Sequence, residues 1–76
     1  MDHQLAEGLA EILEVDVDTL TPDFSLTQAN WDSLAIVSTI ALVDDTHGLM
    51  LNGMKLSKCS SLADVLALIE KAKDGK

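Results

Sequence analysis

Between Asp32 and Asp44 the chain reads Ser-Leu-Ala-Ile-Val-Ser-Thr-Ile-Ala-Leu-Val, and as a helix this stretch is apolar on most of its circumference. Leu34, Ile36, Val37, Ile40, Ala41, Leu42 and Val43 point in nearly every direction. Only 76 residues are available to cover it. A chain of that length forms one domain, since two half-sized cores would bury too little apolar surface to offset the backbone entropy lost on folding. So small a domain cannot hide every face of such a helix, and part of it is expected to be offered to a ligand or a partner.

The rest of the chain is expected to be helical as well. Hydrophobic residues make up 47% of it but aromatics only 3%, so the core is built from Leu, Ile, Val, Ala and Met, a composition that favours helix over sheet. Leu5, Leu9, Ile12 and Leu13 fall at i, i+4, i+7 and i+8, with Gln4, Glu7, Glu11 and Glu14 between them. That spacing predicts an amphipathic helix over 3–14, with Asp2 as its cap. Gly8 lies inside it and either costs up to about 1 kcal/mol against Ala or marks the close approach of another helix.

From Val15 to Trp31 the periodicity fails, and Thr21-Pro22-Asp23 reads as a turn or a single helical turn. Loops this long in small domains are usually pinned by apolar residues or carry function, and Leu20, Phe24 and Leu26 are suited to the pinning. A second helix is expected from Asp32 to about Asp45, closed by Gly48 as C-cap. Leu49 to Cys59 has room for at most a short third helix. The last begins at Ser61-Leu62-Ala63-Asp64, where the hydroxyl and carboxylate suit the exposed amides of a first turn, and Leu62, Val65, Leu66 and Ile69 form its stripe. Beyond Ala72 no apolar anchor remains, and 71–76 is expected to be a frayed tail.

Five basic against thirteen acidic residues leave a formal charge of −8, which repels phosphate backbones and anionic headgroups. Nucleic-acid binding and membrane insertion are therefore not expected, and basic protein partners are favoured. The single Cys59 has no internal disulfide partner, and neither a signal segment nor a membrane-spanning run is evident, so a cytoplasmic monomer is expected. His3 and His47 lie apart from any evident partner. Neither a catalytic set nor a zinc-ligand spacing is present, and the reading is of a protein that is not an enzyme.

The informative stretch is Asp32-Ser33-Leu34, at the junction of the long loop with the apolar second helix. Together with a first helix ending in Val-Asp-Val-Asp, the Thr-Pro-Asp turn and a final helix opening on Ser61, it resembles the acyl carrier protein family over nearly the whole chain. The resemblance implies an all-α, small four-helix bundle of three longer helices and a short third one, comprising 1–76 as a single carrier domain. It also implies that a separate phosphopantetheinyl transferase esterifies Ser33 with phosphopantetheine, whose terminal thiol then carries acyl groups as thioesters. Elementary electrostatics agrees, because the amides and dipole at a helix N-terminus favour a phosphate there.

By the same resemblance Asp32 helps the transferase engage the serine, besides being a natural N-cap. Leu34, Val37 and Ala41 match positions that touch partner enzymes or the arm, with core packing as the plain alternative for each. Ile36, Ile40 and Val43 recur at i, i+4 and i+7 and are either core or the lining of an acyl pocket. Partners implied are the transferase and acyl-loading, acyl-transfer or synthase enzymes.

Departures from the family are specific. Its second helix usually carries several docking carboxylates, whereas Ala35 and Ser38 stand at such positions and Asp44 and Asp45 remain near the far end. The usual Leu-Gly before the serine motif is Ala29-Asn30, and Trp31 fills the place usually held by a small or aliphatic residue, either as a plug on the domain or as an exposed contact. Asn30 tolerates the left-handed backbone that glycine would supply. Met54, Lys55, Leu56, Ser57 and Lys58 make the third-helix region unusually basic and apolar, and Cys59 reads as a small buried hydrophobe. These departures point to a specialised fatty acid, polyketide or related pathway. The rivals are an aminoacyl or peptidyl carrier, and an unmodified helical protein-interaction module of the same fold.

Overall fold

In the computed structural model, which describes residues 3–29 and 31–74, the helices are α1 (His3–Leu13), α2 (Ser33–His47), α3 (Gly53–Ser57) and α4 (Leu62–Asp74). No strand occurs among the described residues, and the architecture is the expected all-α bundle of three longer helices and one short one. Asp2 and Asn30, expected as cap and as left-handed residue, lie outside the described residues.

One core joins all four helices. Leu5, Leu9 and Leu13 of α1, Val43 of α2, Leu56 of α3, and Leu62, Val65 and Ile69 of α4 are buried together. α1 ends where Glu14 turns left-handed at φ 59°. α2 stops at Gly48, whose φ of 65° suits the one residue type that meets no Cβ penalty there, and whose amide donates to the Asp44 carbonyl. α3 opens on Asn52, whose side-chain oxygen accepts from the Met54 and Lys55 amides.

Gly8 is a site of close approach. A Cβ built there would lie 2.6 Å from Leu42 Cδ1, so the missing side chain lets α1 settle against α2. Position 8 thus gives up helix propensity for packing.

The loop between α1 and α2 is held as expected, with Leu20 and Leu26 buried and Phe24 half-buried. It also contains two 3₁₀ turns, Val17–Thr19 and Leu26–Gln28, which no periodicity marks. Its backbone closes onto the start of α4. Leu62 and Ala63 donate their amides to the carbonyls of Phe24 (2.9 Å) and Pro22 (2.8 Å), and Leu26 donates to Ser60 (2.9 Å). First-turn amides of a helix have no intrahelical acceptor, and here a distant loop supplies two.

At the start of α4 the Asp64 carboxylate caps as a capping box does, accepting the Ser61 amide (3.3 Å), and it reaches one residue further back than expected, to the amide (3.0 Å) and hydroxyl of Ser60. These bonds, the Ser60 amide first, hold its carboxyl below the usual carboxylate range. At its other end α4 runs on to Asp74, so 71–74 are helical where a frayed tail was expected. Lys71 and Lys73 lie in that last turn, the end of the dipole that favours cations, and half-buried Ala72 packs against the core.

Candidate functional site at the start of the second helix

Asp32 is the N-cap of α2. Its backbone is extended, its Oδ1 accepts the Ala35 amide at 2.9 Å, and its carbonyl accepts the Ile36 amide at 2.9 Å. Ser33 is therefore the first helical residue. Its side chain is exposed and makes no hydrogen bond to any described residue. With Asp32 serving the amides of Ala35 and Ile36, those of Ser33 and Leu34 are the ones helix geometry leaves facing outward at the dipole's positive end.

The approach to this serine is fixed by Trp31. Half-buried against the core, its indole N–H donates to the Leu56 carbonyl of α3 at 3.0 Å. Of the two readings of Trp31 the structure selects the plug, with its polar edge satisfied. The chain enters Asp32-Ser33 from a residue bolted to α3, which presents the hydroxyl on a rigid support instead of at the tip of a loose loop.

Along α2 the exposure is uneven. Leu34 is 74% and Val37 62% exposed, Ala41 is exposed too, and these three form an apolar surface running from Ser33 toward Asp44 and Asp45, which also face solvent. Val43 is fully buried, and Ile36 and Ile40 are half-buried against the core. Ala35 is only 4% exposed, so a position matched by resemblance to a docking carboxylate is in fact interior. A charge there would be desolvated, and its lack at 35 says nothing about docking.

Sequence reasoning missed Thr39. It sits among the apolar residues of α2 at 0% exposure, its hydroxyl donating to the Ala35 carbonyl at 2.8 Å, so Ala35, Thr39 and Val43 form the buried stripe at i, i+4 and i+8. The self-satisfied hydroxyl is what lets a polar residue pass as core. His3 also differs from expectation: its Nε2 stands 3.0 Å from the Glu7 carboxylate, an exposed i, i+4 pair. His47 is half-buried in the last turn of α2.

A groove follows the α1–α2 seam. About 540 Å³ in volume, it is floored by Gly8, Ile12, Ala41 and Leu42 and edged by Glu11 and Asp45. Through Glu11, Ile12 and Ser38 it continues into a second, more polar hollow lined also by Glu14, Asp32 and Leu34, the last two being the chain neighbours of Ser33. Cys59 stands apart from all this: it is buried, its thiol donates to the Lys55 carbonyl at 3.4 Å, and burial, reinforced by the Asp64 charge, pushes its pKa up.

The family model described as the phosphopantetheine attachment site matches residues 3–69. The chain belongs to the phosphopantetheine attachment family. It is accordingly a carrier domain, the kind of protein to which phosphopantetheine is covalently attached. No curated protein matches the chain at a significant level. The start of α2 fits a carrier domain's requirement: an exposed hydroxyl with no competing described partner, next to outward-facing amides that suit a phosphodiester. When bound, the group supplies a thiol on a long flexible tether, able to hold cargo as a thioester.

Proposed function

We propose that Ser33 is the attachment point and that the protein is an acyl carrier, working without catalysis of its own in a specialised biosynthetic pathway. The observation that carries this is the Ser33 hydroxyl, exposed at the first position of α2 and held there by the Asp32 cap behind it and the Trp31 anchor before it. Asp32 is the residue the transferase engages. Leu34, Val37 and Ala41, with Asp44 and Asp45 beyond, form the surface that partner enzymes read. Charge of −8 and a buried lone thiol accord with a cytoplasmic monomer that meets basic partners.

The acyl reading is favoured over an aminoacyl one by the seam groove. Its apolar floor of Gly8, Ile12, Ala41 and Leu42 offers a hydrocarbon a resting place along α2. The test is modification in vitro with coenzyme A and a promiscuous phosphopantetheinyl transferase, followed by mass spectrometry. One arm's mass is expected on the native chain and none on Ser33→Ala. That variant is expected to keep its stability within about 0.5 kcal/mol, because the side chain is exposed. An unchanged native mass favours an unmodified interaction module, and a gain that persists in Ser33→Ala places the arm elsewhere.

A further inference from the structure

The cations of this chain are not spread through it. Counted along the sequence, 1–52 contain ten of the thirteen carboxylates and no Lys or Arg, while all five lysines fall at 55, 58, 71, 73 and 76. The fold gathers three of them. Lys55 of α3 and Lys71 of α4 stand on the two sides of one groove of about 190 Å³, whose apolar lining includes Met50, Leu68 and Ala72. Lys58 and Leu68 line the adjoining hollow with Lys55.

Among the described residues none of Lys55, Lys58 and Lys71 makes an ion pair, in a protein with thirteen carboxylates to offer. The carboxylate that lines that hollow, Asp64, is occupied by the amides of Ser60 and Ser61. Met50 in the groove's lining is 74% exposed, and Met54, next to Lys55 on α3, is 72% exposed. Unpaired cations beside exposed methionines make a surface that is positive at the rim and soft and apolar within.

We propose that the α3–α4 groove is a docking seat for an acidic amphipathic helix of a partner protein. Its volume falls below the roughly 300–1,000 Å³ of small-molecule sites, so it seats a large apolar side chain projecting from a partner, not a whole ligand. The lysines on its two sides complement carboxylates that flank such a side chain on a helix. A short segment fits better than a large acidic surface, since the net charge of −8 repels the latter, whereas salt screens contacts beyond about 8 Å and leaves the local pairing. The surface lies apart from Ser33, and the proposal does not depend on modification of that residue.

The test is a titration of protein labelled at its methionine methyls with a synthetic 18-residue amphipathic helix, Leu at i, i+3, i+4 and i+7, Glu only at the positions flanking that stripe, and Ala and Gln elsewhere. Saturable shifts of Met50 and Met54 are expected, equal in Ser33→Ala, and with affinity lowered about tenfold in Lys55→Glu/Lys71→Glu. Lys55→Gln/Lys71→Gln, with a smaller loss in the same direction, serves if the reversed pair perturbs folding. No saturation up to millimolar peptide overturns the proposal. So does equal binding of a peptide with Lys in place of Glu, an affinity indifferent to both double variants, or the same shifts on phosphatidylglycerol vesicles, which would make the surface a headgroup site.

Discussion

At the scale of single residues the carboxylates divide by what they hold. Asp32 caps α2, while one oxygen of Asp64 collects the Ser60 amide, the Ser61 amide and a hydroxyl, and these bonds hold the Asp64 carboxyl below the ordinary carboxylate range. A carboxyl whose pKa is lowered by folding stabilises the fold above its unfolded value, about 4, and that contribution disappears as pH falls through the folded value. Urea midpoints are thus expected to drop on acidification below about pH 4, and to drop less in Asp64→Asn. An identical pH dependence in the two proteins would remove Asp64 from the acid transition. Cys59 gives the converse case. Burial and the Asp64 charge push its pKa up, so the native thiol is expected to react with a disulfide reagent at pH 8 far more slowly than the urea-unfolded chain. Equal rates would mean that the thiol is open.

At the scale of elements, the α1–α2 contact turns on Gly8 and Leu42. Gly8→Ala gains about 1 kcal/mol of helix propensity but drives a Cβ to within 2.6 Å of Leu42 Cδ1, forcing a rotamer change that costs about 0.5–1.5 kcal/mol. The single variant is expected to lie within about 1 kcal/mol of native, while in a Leu42→Ala background the same change stabilises by about 1 kcal/mol. A thermal double-mutant cycle reads the difference, and additive effects would deny the contact. The two helices themselves were legible, because Leu5, Leu9 and Leu13 carry the helical period and Gly48 punctuates the end of α2. The meaning of Gly8 was not, since a glycine in a helix looks the same whether or not a neighbour presses on it. Nor was the closure of the 15–31 loop on α4: Pro22 and Phe24 act there through backbone carbonyls, which leave no trace in side-chain pattern. Ser33 stood out through position, while the inward turn of Ala35 and Thr39 was hidden by a helix apolar on nearly every side.

At the scale of the whole molecule, charge is the term that local packing does not answer. Ten carboxylates lie within 1–52, a stretch with no Lys or Arg, and all five lysines fall at positions 55 to 76. Folding brings these like charges closer than they stand in the open chain, so self-repulsion works against the compact state. Among exposed groups it is screened by salt, with a Debye length near 10 Å at 0.1 M and about 3 Å at 1 M. Raising NaCl from about 0.1 to 1 M is therefore expected to stabilise the domain by about 1 kcal/mol, a rise of about 4–8 °C in Tm for a chain of this size. General salting effects would act alike on any variant, whereas repulsion depends on the charges. Asp44→Asn/Asp45→Asn, which removes two adjacent exposed carboxylates, is expected to raise Tm at low salt and to flatten the salt response. A native Tm indifferent to salt, or an equally steep response in the double variant, would mean that the segregated charge is already tolerated by solvent and that its role lies in recognition alone.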